Sequence, residues 1–444
     1  MKQKKSPPVK QSKKKTTSTR KPSGKNKIFI QIASYRDPEL VPTIKDCIDK
    51  AAKPENLVFS ICNQFHPDDK FNKHLEPYRE DPRFKIIDID FDKSEGTCWA
   101  RYLLQQQYIN EEYTLQLDSH HRFVDGWDDI LKTMVSDLKK AGHKKPLLTA
   151  YLPSYDPDNE PDARVQEPWW MTFDRFIPEG AVFFLPATMP DWQNRELPMP
   201  SRFYSAHFCF TLGKFVKEVP HDPQYYFHGE EISIAVRAYT HGYDLFHPHK
   251  IVCWHEYTRK GRAKHWDDVN AWVPKNKVCH DRNRRLFGMD GAERNQDYTD
   301  FDFGKVRSVE EYEAYSGLRF KDRAIQQYTL DNNEAPNPKG KTKKEQQELF
   351  IPWFKHCIDL GFDSVPEDDY EFWVVAFEDE NGEDIYREDA DTHEISRMKN
   401  DPDGYIKVWR QFRTESRPVK WVIWPYSKSK EWCERMEGFI PWET

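Results

Sequence analysis

The segment Thr114-Leu115-Gln116-Leu117-Asp118-Ser119-His120 carries the clearest chemical signal in the chain. An apolar run suited to a strand leads straight into Asp118, and His120 follows two residues later. Residues i and i+2 of an extended backbone point the same way, so a carboxylate and an imidazole can grip one ion together. That donor set suits Mn²⁺ or a similar divalent cation that also accepts phosphate oxygens. The bland alternative has Asp118 capping a turn and His120 on the surface. A second acidic segment, Gly229-Glu230-Glu231, opens a periodic stretch of Ile232, Ile234, Ala235, Val236, Ala238 and Tyr239. Two acids in the first turn of a helix are favoured by its dipole alone; the functional reading sets one of them beneath a reacting hydroxyl, and Glu230 and Glu231 stand equal for that role.

The elements that must position these groups are legible from hydrophobic spacing. Ile28–Ala33, Leu57–Cys62, Phe84–Ile89, Tyr113–Leu117 and Leu147–Leu152 read as strands. Helical spacing over Leu40–Ala51, Glu95–Ile109 and Ile130–Leu138 falls between them. Strands alternating with helices predict an α/β architecture with a mostly parallel sheet, whose ligands sit beyond the carboxyl ends of the strands. No glycine lies between Gly24 and Gly96 and no G-x-G occurs anywhere, so neither a dinucleotide fingerprint nor a Walker A loop is available. Nucleotide phosphates would have to be held by a metal ion instead. From about 153 to 280 the alternation loosens into Pro, Trp, Phe, Tyr and His, material for a pocket wall. The last hundred residues predict a helix near Gln346–Leu360, a strand Phe372–Phe377, a hairpin turn at Asn381-Gly382 and strands at Tyr405–Arg413 and Val419–Trp424. The division that follows is a tail over 1–26, an α/β domain over 27–330, a linker over 331–345 and a mainly β accessory domain over 346–444.

Composition excludes several classes. The chain has 444 residues with a net charge of −7, and no apolar run approaches the roughly 18 residues of a membrane span. Its Lys-rich opening has no apolar segment behind it, so no secretory signal is expected. Eight scattered cysteines without a C-x-x-C pair argue against a disulfide framework or a thiolate zinc site and fit a reducing compartment. Residues 1–27 hold eleven Lys/Arg and no acid, leaving the body at −18. Such a tail is too polar to fold and reads as a solubilising disordered extension, with a targeting or polyanion-binding role as the alternative. Nucleic-acid binding is not expected, since it would rest on that segment alone.

Four pieces in order then carry a resemblance: Ile32-Ala33-Ser34-Tyr35-Arg36-Asp37-Pro38, Leu117-Asp118-Ser119-His120, Phe227-His228-Gly229-Glu230-Glu231 and His255-Glu256-Tyr257, together with the Gly96-to-Arg101 segment upstream of Asp118. From about Lys27 to about Leu330 the chain resembles the cytoplasmic polypeptide α-N-acetylglucosaminyltransferases, which modify hydroxyproline. More distantly it resembles the mucin-type polypeptide GalNAc transferases. The resemblance implies a GT-A (Rossmann-like) catalytic domain and retaining, Mn²⁺-dependent transfer of GlcNAc from UDP-GlcNAc to a hydroxyl of a protein acceptor in the cytoplasm. It implies Asp118, His120 and His255 as metal ligands and Ser34, Tyr35 and Arg36 around the uridine. Gly96 and Arg101 would lie by the nucleotide, with Asp118, Glu230 and Glu231 in catalytic positions. Trp169, Trp170, Phe203, His207, Phe208 and His228 are candidates for stacking on sugar or peptide. The rival readings are a GT-A transferase extending a glycan with another UDP-sugar, and a non-enzymatic carbohydrate- or protein-binding module.

Overall fold

The computed structural model describes residues 24–268, 272–401 and 404–442. The expected disordered tail falls on residues 1–23, outside them, except for its last three positions. Those are ordered: Lys27 N–H donates to the Gly24 carbonyl (3.1 Å), Asn26 N–H to Glu112 Oε2 (2.8 Å) and Glu112 N–H to the Gly24 carbonyl (3.0 Å).

Parallel strands β1 (Ile28–Tyr35), β2 (Leu57–Phe65), β3 (Phe84–Asp90) and β4 (Tyr113–Leu117) form one half of an eight-stranded sheet. β5 (His121–Phe123) lies outside it, and β6 (Pro146–Thr149) belongs to the other half. β7 (Trp169–Phe176) and β8 (Val182–Thr188) make a separate hairpin. β9 (Met199–Pro200), β10 (Phe208–Leu212) and β11 (Asp244–His247) complete the sheet, and β12 (Cys253–His255) pairs with β5. The sheet order is β3-β2-β1-β4-β10-β6-β11-β9. The α/β expectation is met, but the sheet is mixed rather than mostly parallel. β10 runs antiparallel to both β4 and β6, and β9 antiparallel to β11. That reversal matters, because it brings the start of β10 to the edge where β1 and β4 end.

β1 reads Ile-Phe-Ile-Gln-Ile and is buried on both faces, as a central strand between helical layers must be. The helices Leu40–Asp49 and Trp127–Lys140 cover one face with Ile44, Cys47, Trp127, Leu131 and Val135, all 0–1 % exposed. Each such side chain contributes about 1.5–3 kcal/mol by leaving water. Asp128 and Asp129 in the first turn of the second helix and Lys139 and Lys140 in its last turn match its dipole. The helix Glu230–Thr240 and the β7–β8 hairpin belong to a second core cluster.

The C-terminal part is mainly β, as expected: β13 (Leu318–Arg319), β14 (Ala324–Gln326), β15 (Phe350–Leu360), β16 (Tyr370–Glu378), β17 (Asp384–Arg387), β18 (Ala390–Asp391), β19 (Ile406–Arg413), β20 (Lys420–Ser427), β21 (Glu431–Trp432) and β22 (Met436–Phe439). The helix expected near Gln346–Leu360 is corrected. Only Lys343–Glu348 is helical, and Phe350–Leu360 is a long strand between β14 and β19. Apolar residues every three or four positions imitated a helix, whereas Pro352 lacks the N–H a helix interior needs and eight cross-strand pairs to β19 decide the conformation. The stretch 331–345 is thus framed by two strands of one sheet. The Asn381-Gly382 turn joins β16 to β17, with Gly382 at φ +81°.

Candidate active site

The end of β1, the end of β4 and the β5–β12 pair meet at one edge of the sheet, where strand carboxyl termini leave a crevice. β4 delivers Asp118, the next residues deliver His120, and β12 sets His255 opposite His121. Thr43 fixes the corner: its hydroxyl donates to the Ser119 carbonyl (2.9 Å) and accepts from the His121 N–H (2.8 Å). Asp118, His120 and His255, far apart in sequence, each offer one ligand atom, and these atoms lie within 4.8 Å of one another. His255 Nε2 is 3.5 Å and His120 Nε2 3.9 Å from Asp118 Oδ2, while Asp118 Oδ1 accepts from Arg101 Nη2 at 2.8 Å. Burial alone would raise the Asp118 carboxyl; His255, Arg101 and His120 outweigh it and hold it well below the usual range. Burial also drives His255 well below its ordinary value, leaving a neutral imidazole, and both its ring nitrogens are buried without a hydrogen-bond partner.

His120 is oriented from behind. Asp37 Oδ2 accepts from Ser119 Oγ (2.6 Å) and from His120 Nδ1 (2.8 Å), and Asp37 Oδ1 from the Glu39 N–H (2.9 Å). An ionised carboxylate only accepts, so the proton sits on Nδ1 and the Nε2 lone pair faces the cavity. Arg262 Nη2 already lies 3.2 Å from that lone pair, a guanidinium standing where a cation is welcome. One carboxylate, two imidazoles and unpartnered buried nitrogens are a donor set that fits Mn²⁺.

A cavity of about 530 Å³ opens beside this cluster. Tyr35, Gly96, Arg101, His207, His228, Glu230 and Glu231 line it with the three ligand-type residues. Gly96 caps the helix Thr97–Gln105 at φ +113°, and a Cβ there would stand 2.6 Å from the Tyr226 ring and 2.8 Å from its carbonyl oxygen. Only glycine fits. Glu231 is fully engaged, Oε1 accepting from the Ala206 N–H (2.8 Å) and Oε2 from Tyr151 OH (2.7 Å). Burial first, and for Glu230 then repulsion by Glu231, pushes both carboxyls above their ordinary values. His207 stacks on His255 with centroids 4.2 Å apart and accepts the Leu152 N–H at Nε2 (3.1 Å).

Six expected site residues do not line the cavity. Ser34 is buried, its carbonyl accepting from Gln64 Nε2 (3.0 Å). Arg36, at φ +46°, spans Asp69 and Asp268 with hydrogen bonds of 2.9–3.0 Å. Trp170 packs with Met189 and Met199, and Trp169 only flanks Tyr257 at 6.1 Å. Phe203 and Phe208 are core residues. Conversely, Tyr151, Arg259 and Arg262 line the cavity outside every quoted motif, and Tyr257 lines it from inside one. The two arginines follow His255 in a short basic loop, and that juxtaposition of charge and ligand was a usable signal. Asp37 stood inside a quoted motif, but its partner at 120 is 83 positions away.

A family model described as Glycosyltransferase (GlcNAc) matches residues 27–81 and 71–322, and the chain belongs to that family. It is a glycosyltransferase, and its mixed sheet presents ligand-type residues at the strand ends. No curated protein matches. Among solved structures the chain is similar to GalNAc-T7 with UDP, GalNAc and Mn²⁺ (11% identity, TM-score 0.46, covering 92% of this chain and 68% of that one). It is also similar to S. aureus TarS 1–349 with UDP-GlcNAc (11%, TM-score 0.34, 55% and 61%). A third is the mannosyltransferase PcManGT from Pyrobaculum calidifontis with GDP-Man and Mn²⁺ (11%, TM-score 0.35, 56% and 60%). Among the described residues no helix is long and apolar enough to cross a membrane.

Proposed function

We propose that this glycosyltransferase moves GlcNAc from UDP-GlcNAc to a hydroxyl of a protein acceptor (serine, threonine or hydroxyproline), with retention of configuration. The observation that carries the reading is one wall of the cavity. There Asp118, His120 and His255 converge beside three guanidinium groups, Arg101, Arg259 and Arg262, a combination suited to a diphosphate. Asp118, His120 and His255 would hold a divalent cation such as Mn²⁺, which when bound offsets charge on a departing diphosphate. The chain's own contribution is preorganisation: Arg259 and Arg262 place donors where negative charge develops, and Tyr35 borders the nucleotide side. GlcNAc as the sugar is supported by the family description, and the protein acceptor by the motifs in common with polypeptide transferases.

Retention without a covalent intermediate fits the acidic pair. A nucleophilic carboxylate must be ionised and free. Glu231 has both oxygens engaged, and burial holds Glu230 toward its protonated form. Glu230 is then a hydrogen-bond donor to the sugar or acceptor, and the acceptor proton leaves with the UDP oxygen on the same face. A cytoplasmic setting is supported by eight cysteines, none in a disulfide.

The test is UDP release from UDP-GlcNAc, UDP-GalNAc and UDP-glucose, with and without Mn²⁺, on wild type and Asp118→Ala, using hydroxyproline peptides and oligosaccharides as acceptors. Wild type should turn over UDP-GlcNAc only with metal, and the variant should lose that activity. Metal-independent release, or an Asp118→Ala enzyme as active as wild type, would overturn the proposal.

A further inference from the structure

The six-stranded C-terminal sheet has two unlike faces. Trp373, Val375, Phe377 and Ile423 on one side build the accessory core. Alternate residues of the same strands point the other way, where register pairs Phe372 with Tyr426, Val374 with Trp424 and Ala376 with Val422. Val374, Ala376 and Val422 make a low floor, and Trp424 and Trp432 rise beside it, 37 % and 46 % exposed. The result is a hollow of about 570 Å³, within the range of small-ligand sites.

The aromatic wall is preorganised. Trp424 and Trp432 lie with centroids 4.2 Å apart, and Trp432 meets Tyr426 and Phe372 edge-on at 5.3 and 5.7 Å. Trp424 Nε1 donates to the Cys433 carbonyl at 3.0 Å, which fixes its ring. Leaving such surface in water forgoes about 25 cal/mol per Å², so a clustered exposed patch calls for a ligand. The rest of the lining is charged but nearly balanced. Arg387 makes two bonds of 2.8 Å to Asp389, Arg435 Nη2 donates to Glu378 Oε1 at 2.9 Å, and Asp384 completes the rim.

We infer that this hollow is a binding site for a neutral saccharide, distinct from the transferase site. A pyranose has an apolar C–H face that stacks on indole and a rim of hydroxyls that each donate and accept. A carboxylate–guanidinium pair offers acceptor and donor side by side, which matches neighbouring hydroxyls. The charge balance supplies no field for a polyanion such as nucleic acid or an anionic lipid. An apolar peptide would strip water from Arg387, Asp389, Arg435 and Glu378 without replacing its hydrogen bonds, a costly exchange.

The test is calorimetric titration of the full chain with trimers of β-1,4-linked GlcNAc, cellotriose, maltotriose and mannotriose, and with a heparin oligosaccharide as anionic control. At least one neutral trimer should bind saturably. Asp118→Ala should bind it within about twofold of wild type, as separate sites require. Trp432→Ala should remain folded at the assay temperature and weaken binding about tenfold, with Trp432→Phe restoring part of it. Binding of none of the trimers, equal binding by Trp432→Ala, preference for the heparin oligosaccharide, or loss in Asp118→Ala would each overturn the assignment. Because no sugar transfer is read, this result is separable from failure of the proposed reaction.

Discussion

Asp37→Asn isolates the device that aims His120. In the wild type, Oδ1 accepts one N–H and Oδ2 accepts a hydroxyl and the His120 ring N–H, so both oxygens face donors only. An amide in this place must turn its NH₂ toward one set of them. Facing Glu39, it opposes a donor at 2.9 Å and leaves a buried polar group unsatisfied, at about 1–3 kcal/mol. Facing His120, it drives the ring to the other tautomer, whose Nε2–H then points at Asp118 and His255. Either outcome would weaken the proposed hold of Nε2 on a divalent cation. Losing a carboxylate behind a ligating histidine typically costs 10–100-fold in metal affinity, about 1.4–2.8 kcal/mol. The assay is Mn²⁺ titration by calorimetry, with long-range ¹H–¹⁵N spectra to read the His120 tautomer. The acid limb of stability gives a further readout. Burial raises the Asp37 carboxyl, but His120, Arg262 and Ser119 outweigh it and leave it below its ordinary value. The wild type therefore holds stability above the unfolded pKa near 3.9 that is lost as pH falls through the folded value, and the variant lacks that slope. An Asn variant with Mn²⁺ affinity within about twofold of wild type and an unchanged tautomer would refute the reasoning.

Three more predictions follow from single contacts. Arg101→Met removes the buried partner of Asp118 and should cost about 3 kcal/mol in urea unfolding, the low end for a broken buried pair because Asp118 is 28 % exposed; a loss under about 1 kcal/mol would place the pair among surface bridges. Gly96→Ala should lower the unfolding free energy by about 1–3 kcal/mol from backbone strain alone, before the clash with Tyr226, and an unchanged unfolding free energy would contradict the φ of +113°. For the acidic pair, folded-state values above the ordinary glutamate range mean the folded state holds protons more tightly. The contribution is full below about pH 4.3 and disappears as pH rises through the raised values. Glu230→Gln should therefore gain stability relative to wild type between about pH 5 and 9, and a difference that stays constant across that range would refute the assignment.

Much of this architecture was legible because its signals are local. The strand into Asp118, the i/i+2 relation to His120 and the acidic first turn after Gly229 are each carried by a few neighbouring residues. Where the reading failed, non-local pairing outvoted local pattern. Phe350–Leu360 has helical spacing but is claimed by β19, more than forty residues away. Trp169 and Trp170 have suitable chemistry, yet the β7–β8 hairpin turns Trp170 into a methionine cluster and sets Trp169 beside Tyr257.

By itself, the order of residues determined the donor types, the strand that presents Asp118 and the lack of a phosphate-binding glycine loop. Those are properties of short segments, set by side-chain chemistry and backbone period. The tertiary structure alone decided which distant groups share a cavity. It decided that the antiparallel β10 carries His207 to the edge where β4 ends, that Asp37 reaches His120, and that Tyr151 and the Ala206 N–H occupy Glu231 and leave Glu230. The distances between such groups follow from how sheets stack and loops close, and that depends on the whole core rather than on any one stretch of chain.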